Sequence, residues 1–307
     1  MEIDALVHGS DLSGVLVWLG LRMKGFKAFL VTRAMRVCEE ILYLPFTSDW
    51  AEFVRKFGVD EFHEAHNVFF KTSSILRGKF YPAAKTCIGD VRGLAERLLS
   101  LGDNCVELWC REFRWKASRD RIDWVIKSRR GETKRGSSQI IIDTYCPVAS
   151  GGKVRVVTAP SVEKGSVLDL SGPFLKLLVT HGGLETRVEV MGEAEHNNAL
   201  ALSRFNLHER VYLGEPPVLY AGFLSGMVKP PWLGDYLVAS ALLGVLISEN
   251  WLSGGDQSEK LLSYVTELKA RAELCHEVAK RAVEGCVGEL EISYIFEGIR
   301  PPPLPQL

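Results

Sequence analysis

The sequence has almost no net charge, no closely spaced cysteine pair and no apolar run long enough to cross a bilayer. Each absence argues against a class of protein. Its 37 Lys and Arg stand against 38 Asp and Glu, a formal net charge of −1. No global field therefore draws in a polyanion, and any electrostatic attraction must come from uneven charge along the chain. The seven cysteines, Cys38, Cys87, Cys105, Cys110, Cys146, Cys275 and Cys286, are odd in number and irregularly spaced. Without a Cys-x2-Cys pair they do not read as a zinc ribbon. Several lie in apolar stretches, as reduced thiols do in the cytoplasm. The N-terminus lacks a basic region ahead of an apolar run, so no signal peptide is read. The most apolar segment, 233–252, has an apolar core from Tyr236 to Ser248 that is too short to span a membrane and reads as a buried helix. No Gly-x4-Gly-Lys-Ser/Thr or Gly-x-Gly-x-x-Gly follows the first strand, and no Gly-x-Ser-x-Gly elbow or His-Glu-x-x-His occurs.

What is present is alternation. "IDALVH", "FKAFLVT", "ILYLPF" and "NVFFKTS" read as strands. Between and after them, "GVLVWLGLRMKG", "SDWAEFVRKFG" and "AAKTCIGDVRGLAERLLSLG" read as helices closed by Gly25, Gly58 and Gly102. Strands separated by helices predict a parallel sheet with right-handed crossovers. Beyond residue 137 the chain turns β-rich, with "QIIIDTYCPV", "KVRVVTA", "FLKLLVTHGG" and "TRVEVMG", and Gly151-Gly152 marks a hairpin between the first two. Two helices follow, about 233–251 and 258–284, then a closing strand in "ELEISYIFEG" and a polyproline-like tail. The expected fold class is α/β. An N-terminal parallel-sheet domain (1–109) leads through a basic connecting segment (110–137) to a mixed α+β domain (138–299) and a proline-rich tail (300–307).

The stretch with the most chemistry is "VHGSDLSG", a loop between the first strand and the first helix. Ligands of open parallel sheets sit at the carboxyl ends of strands, and a helix N-terminus favours anions. His8 and Asp11 offer a nitrogen and a carboxylate suited to manganese or zinc. The loop also reads as an ordinary strand-to-helix turn in which Asp11 or Ser13 caps the helix. A third reading is a nucleotide-binding loop of the PP-loop type.

The stretch "LVHGSDLSGVLVWLGLRMKG" resembles the first motif of the DHH phosphoesterases, the family of the RecJ exonucleases. His8 matches the motif histidine, and Asp11 and Gly14 match the Asp and Gly of its Asp-x-Asp-Gly part. Ser13 stands where the second acid belongs, and the family's Asp-His-His is absent. Two-metal hydrolysis needs anionic ligands to hold two cations together, and a hydroxyl does not replace a bridging carboxylate. The resemblance therefore implies a degenerate site with vestigial His8, Asp11 and Ser13. It implies a non-catalytic scaffold in DNA replication or repair, like the RecJ-like helicase subunit that joins MCM and GINS. No cofactor is expected on this reading; manganese at His8 and Asp11 is expected if the site is active. The alternatives are a metal-dependent phosphoesterase or nuclease, or a PP-loop-like enzyme.

Charge is strongly segregated. From Arg111 to Arg135 ten bases stand against four acids, while the rest of the chain has more acids than bases. Phe113, Trp115 and Trp124 interleave with the bases, a composition that suits single-stranded DNA. The candidate contacts are Arg111, Arg114, Trp115, Arg119, Arg121, Arg129, Arg130, Lys134 and Arg135. A solvated charged surface over inward tryptophans, or an acidic protein partner, accounts for the same composition. The cluster Asp60, Glu61, His63, Glu64 and His66 reads as a polar loop rather than a zinc site.

Overall fold

A computed structural model of the chain describes residues 1–33, 43–64, 68–71, 81–102, 106–107, 110–118, 121–145, 154–161, 166–169, 175–190, 199–205, 210–255, 259–283 and 301. The chain begins with β1 (Glu2–His8), α1 (Leu12–Met23) and β2 (Ala28–Val31), then β3 (Tyr43–Thr47) and α2 (Ser48–Arg55). Four short strands follow, β4 (Phe62–Glu64), β5 (Val68–Lys71), β6 (Tyr81–Ala84) and β7 (Thr86–Asp90), ahead of α3 (Val91–Ser100) and β8 (Val106–Glu107). The basic stretch forms β9 (Cys110–Ala117) and β10 (Ile122–Ser128) and runs into the long β11 (Thr133–Asp143). Next come β12 (Val154–Pro160), β13 (Ser166–Asp169), β14 (Leu175–His181), β15 (Leu184–Val190) and β16 (Ala201–Phe205). The chain then forms β17 (Gly214–Glu215), β18 (Val218–Tyr220), a 3-10 turn (Gly222–Ser225), α4 (Leu233–Leu252) and α5 (Glu259–Val283).

The main sheet has the order β17-β18-β11-β1-β2-β8, with β10 and β9 added beyond β11. Strands β18, β11, β1, β2 and β8 run parallel. Strand β1 is buried on both faces, which is why "ALV" reads as an unbroken apolar run rather than an alternating one. On one face lie α1, α3 and α4, joined by Ala5, Val7, Trp18, Ile142 and Leu243 in one large core. On the other face the β9–β10 ribbon folds over Leu6, Phe29, Val31 and Ile141 and covers them with Phe113, Ile122, Trp124 and Ile126. Trp124 stacks on Phe29 with ring centroids 6.2 Å apart. A second sheet, β16-β12-β15-β14-β13-β5-β6, is largely antiparallel, and a third, β3-β7-β4, is antiparallel throughout.

The expected fold class needs correction. The parallel sheet is not built by the first hundred residues and followed by a separate α+β unit. Its central strand β1 pairs with β11, from Glu2↔Ser137 to His8↔Asp143, and β11 pairs in turn with β18. Partners 135 residues apart thus complete one sheet, while β5 and β6 leave for the second sheet, where β5 runs beside β13. Strand β7 is also new: "TCIGD" lies between β3 and β4 with Thr86, Cys87 and Ile88 buried, and only Val91–Ser100 of the expected helix is helical. Asp90 caps α3 by accepting from the Gly93 amide at 3.0 Å, which sets the boundary. Helix α4 is buried along most of its length, as its all-round apolar sequence predicts. No helix among the described residues is long and apolar enough to cross a membrane. The Gly151-Gly152 hairpin and the closing strand at "ELEISYIFEG" lie outside the described residues.

Candidate functional site

The carboxyl ends of β2, β1, β11 and β18 meet at one edge of the parallel sheet, and the β1–α1 turn lies there. Gly9 follows β1 directly, and its amide donates to the Val31 carbonyl at 3.0 Å. Asp11 is the N-cap of α1. Its Oδ1 accepts from the Gly14 amide at 2.9 Å, the Ser13 hydroxyl at 2.7 Å and the Thr144 hydroxyl at 3.0 Å. Its Oδ2 is buried and has no hydrogen-bond partner among the described residues. Burial pushes the carboxyl up from its ordinary 3.8 to about 6, against the downward pull of those three donors.

Thr144 comes from the end of β11, where its amide donates to the His8 carbonyl at 2.7 Å. It explains both glycines of the turn. A Cβ on Gly9 would overlap the Thr144 hydroxyl, and one on Gly14 would come within 2.8 Å of it. Gly222 closes the arrangement from the 3-10 turn after β18. Its φ of +61° is a glycine conformation. A Cβ there would overlap Ser13 Oγ and sit 2.7 Å from Asp11 Oδ2. Its amide donates to Ser240 of α4 at 2.8 Å, so that α4 holds the turn over Asp11.

His8 does not join Asp11. Side chains alternate across a strand, and the His8 ring lies on the ribbon face, 4.5 Å from the Phe113 ring and 5.2 Å from the Tyr145 ring. Its Nδ1 donates to Asp143 Oδ1 at 3.1 Å, which also accepts from the Tyr145 amide. Its Nε2 is buried without a hydrogen-bond partner among the described residues. No group of three or more His, Cys, Asp or Glu among the described residues could hold a metal ion. The manganese expectation at His8 and Asp11 is corrected on this geometry: the two side chains leave opposite sides of the sheet edge, and Asp11 is committed to capping.

The basic candidates all fall on or beside the β9–β10–β11 ribbon, apart from Arg119, which lies outside the described residues. Arg111, Arg114, Arg121, Arg129, Arg130, Lys134 and Arg135 are exposed, and Trp115 is 36% exposed. Arg114 and Lys127 both pair with Glu112, and Arg121 pairs with Asp123 at 3.3 Å. Phe113 and Trp124 face the core and present no stacking surface. A further cluster sits where the second and third sheets meet. The rings of Tyr43, His63 and His181 lie within 5.2 to 6.1 Å of one another, and His181 Nε2 bonds the Thr186 hydroxyl at 2.9 Å. Burial, reinforced by His63, lowers His181 to about 4 from 6.5.

The residues that sequence reasoning missed are Asp143, Thr144 and Gly222. The signal for the first two was present: "IIIDT" is a second buried strand ending in an acid and a hydroxyl, just as "ALVHGSD" is the first. Gly222 carried no signal of its own.

The architecture is thus a parallel sheet with helices on one face and a β-ribbon on the other, and a second large sheet. Three solved structures share it. A geranylgeranyl bacteriochlorophyll reductase-like protein from Thermoplasma acidophilum matches with a TM-score of 0.69 at 10% identity, over 96% of this chain and 91% of that one. A flavoprotein/dehydrogenase from Cytophaga hutchinsonii matches with a TM-score of 0.66 at 13% identity, over 93% and 87%. The rebeccamycin biosynthetic enzyme RebC, solved with reduced flavin, matches with a TM-score of 0.67 at 15% identity, over 92% and 69%. No family model and no curated protein matches the chain.

At these identities the likeness establishes the fold. It overturns the DHH and RecJ resemblance, and with it the non-catalytic replication scaffold, its MCM and GINS partners, and the phosphoesterase and PP-loop alternatives. The expectations of a protein without a cofactor and without catalysis rested on that resemblance and fall with it; the fold neighbours are flavin proteins and reductase-like enzymes. The shared feature that misled is small. A strand, a glycine-bearing turn and a helix open both kinds of fold.

Proposed function

We propose that the chain is an oxidoreductase of the flavoprotein type, acting in the cytoplasm, with the β1–α1 turn as its dinucleotide site. The observation that carries this reading is the placement of Gly9, Asp11 and Gly14. They occupy the three positions of a dinucleotide fingerprint, between a central parallel strand and its following helix, at the carboxyl edge of the sheet. In that fingerprint the first glycine permits the turn, the second lets backbone approach a pyrophosphate, and the third lets helix and strand pack closely. Gly9 and Gly14 fit those demands. The Asp11 side chain does not, and Thr32 stands at the end of β2, where an acid that binds ribose belongs about 20 residues on. A bound flavin would supply hydride or electron transfer. This chain's own residues would orient it through the α1 N-terminus and the Gly222 turn. Cys87, Cys110 and Cys275 are buried among apolar residues, as reduced cysteines that pack as small hydrophobes are, which supports the reducing compartment.

The test is equilibrium binding of FAD, followed by quenching of flavin fluorescence, from about pH 5 to pH 8. Binding anywhere in that range supports the reading. A folded protein that leaves FAD free throughout it, in wild-type form and with Asp11 replaced, would contradict it.

The exposed basic face of the ribbon favours a second, separate reading, contact with single-stranded DNA. Replacing Arg129 and Arg130 by alanine should then weaken binding of an oligothymidylate and reduce its salt slope by about 1.4. Unchanged binding would remove the ribbon from any such role.

A further inference from the structure

The α1 N-terminus offers what an anion needs, and a carboxylate of the chain itself already uses it. Asp11 Oδ1 takes three donors at 2.7 to 3.0 Å, from one backbone amide and two hydroxyls. A phosphate oxygen at a helix N-terminus is held by donors of the same kind. Asp11 also stands at the one fingerprint position where a side chain is least tolerated, because the ligand's pyrophosphate approaches backbone there. A cap needs only one oxygen, and serine or asparagine serves as well as aspartate. The second oxygen is therefore surplus to capping. It is buried under Gly222 without a hydrogen-bond partner among the described residues.

We propose that Asp11 is an internal occupant of the phosphate seat: ionised, it excludes the pyrophosphate of a flavin dinucleotide, and neutralised or removed, it admits one. This rests on the flavoprotein reading above. Among the described residues the groups that face Asp11 are few. From α1 it meets Ser13, from β11 Thr144, and from the 3-10 turn Gly222, backed by Ser240 of α4. The titratable groups at the neighbouring strand ends, His8 and Asp143, bond each other on the ribbon side. Among the described residues Asp11 is thus the ionisable group that sets the charge at this seat.

FAD binding by the full chain, measured at about pH 8 by fluorescence quenching, tests the proposal with Asp11→Asn and Asp11→Gly beside the wild type. Asp11→Asn keeps the cap and removes the charge; Asp11→Gly removes the side chain. Circular dichroism confirms that each is folded. The expected result is FAD binding tighter by at least about tenfold in Asp11→Asn, since a buried like charge next to the pyrophosphate is lost, and tighter again in Asp11→Gly. Should Asp11→Gly lose its cap and unfold, Asp11→Asn decides alone. Wild type that binds FAD as tightly as both variants overturns the internal occupant and leaves the flavoprotein reading standing. Folded variants that bind no FAD overturn both.

Discussion

Asp11 makes the stability of this protein depend on pH. Its carboxyl titrates near 3.8 when unfolded and near 6 when folded, so the folded chain holds the proton more tightly. The contribution is most favourable below about pH 4, is lost as pH rises towards 6, and by neutral pH amounts to roughly 3 kcal/mol of destabilisation. His181 works in the opposite sense. Its folded value of about 4 lies below the ordinary 6.5, so stability is lost as pH falls through that window. The wild-type curve mixes the two, and the comparison with Asp11→Asn isolates one. Denaturant melts should show Asp11→Asn gaining roughly 2 kcal/mol on the wild type between about pH 4.5 and pH 7.5. Parallel curves would mean that Asp11 is far better solvated than its burial implies. At this scale the sequence was partly legible. Asp11 as a cap, and Asp11 as an acid in a ligand loop, were both read from "HGSDLSG". Its true neighbours were not, because Thr144 and Gly222 arrive from segments 133 and 211 residues further on.

The ribbon of β9 and β10 is the element that departs most from a simple alternation of strand and helix. It covers the second face of the parallel sheet, a task usually given to helices. Its inward residues therefore form a core, and its outward ones collect charge. That division explains why a stretch of ten bases also carries Phe113, Ile122, Trp124 and Ile126. Trp124→Ala should cost about 3 to 5 kcal/mol in a denaturant melt, since the side chain is 1% exposed and stacks on Phe29. A cost below 1 kcal/mol would mean that the ribbon does not seal the sheet. Gly136→Ala tests the same packing from β11. A Cβ there would come 2.5 Å from the Trp124 ring and overlap the Met1 carbonyl, so the variant should be destabilised although alanine suits a strand better than glycine. Helix α1 was legible from its Asp11 cap, α2 from Gly58 that closes it, α4 from its apolar run and α5 from its period. Strand β7 was not, because "TCIGD" runs straight into α3 and its apolar residues fit a helical pattern as well as a strand. Only pairing with β3 and β4 decides between them.

The whole molecule is organised by a crossing that no local pattern records. The chain leaves the parallel sheet after β2, builds parts of two other sheets, adds β8 at an edge, and returns through β11 to lie beside β1. It leaves again for the second sheet and returns a last time with β18 and α4. Periodicity gives the strands but not their partners, and the pairing of β1 with β11 and of β11 with β18 is what departs from the expected N-terminal sheet domain. The proposed dinucleotide site was hidden for a related reason. With aspartate in place of the middle glycine, Gly9-x-Asp11-x-x-Gly14 looks like an acidic metal loop until β11 is seen beside it. On the proposed reading, the same aspartate holds the seat of the cofactor's phosphate. The most direct test is the FAD affinity of the unaltered protein as a function of pH. If only the protonated seat admits the pyrophosphate, affinity should be level below about pH 6 and fall roughly a hundredfold by pH 8. Tight binding with a flat profile across that range would contradict the claim.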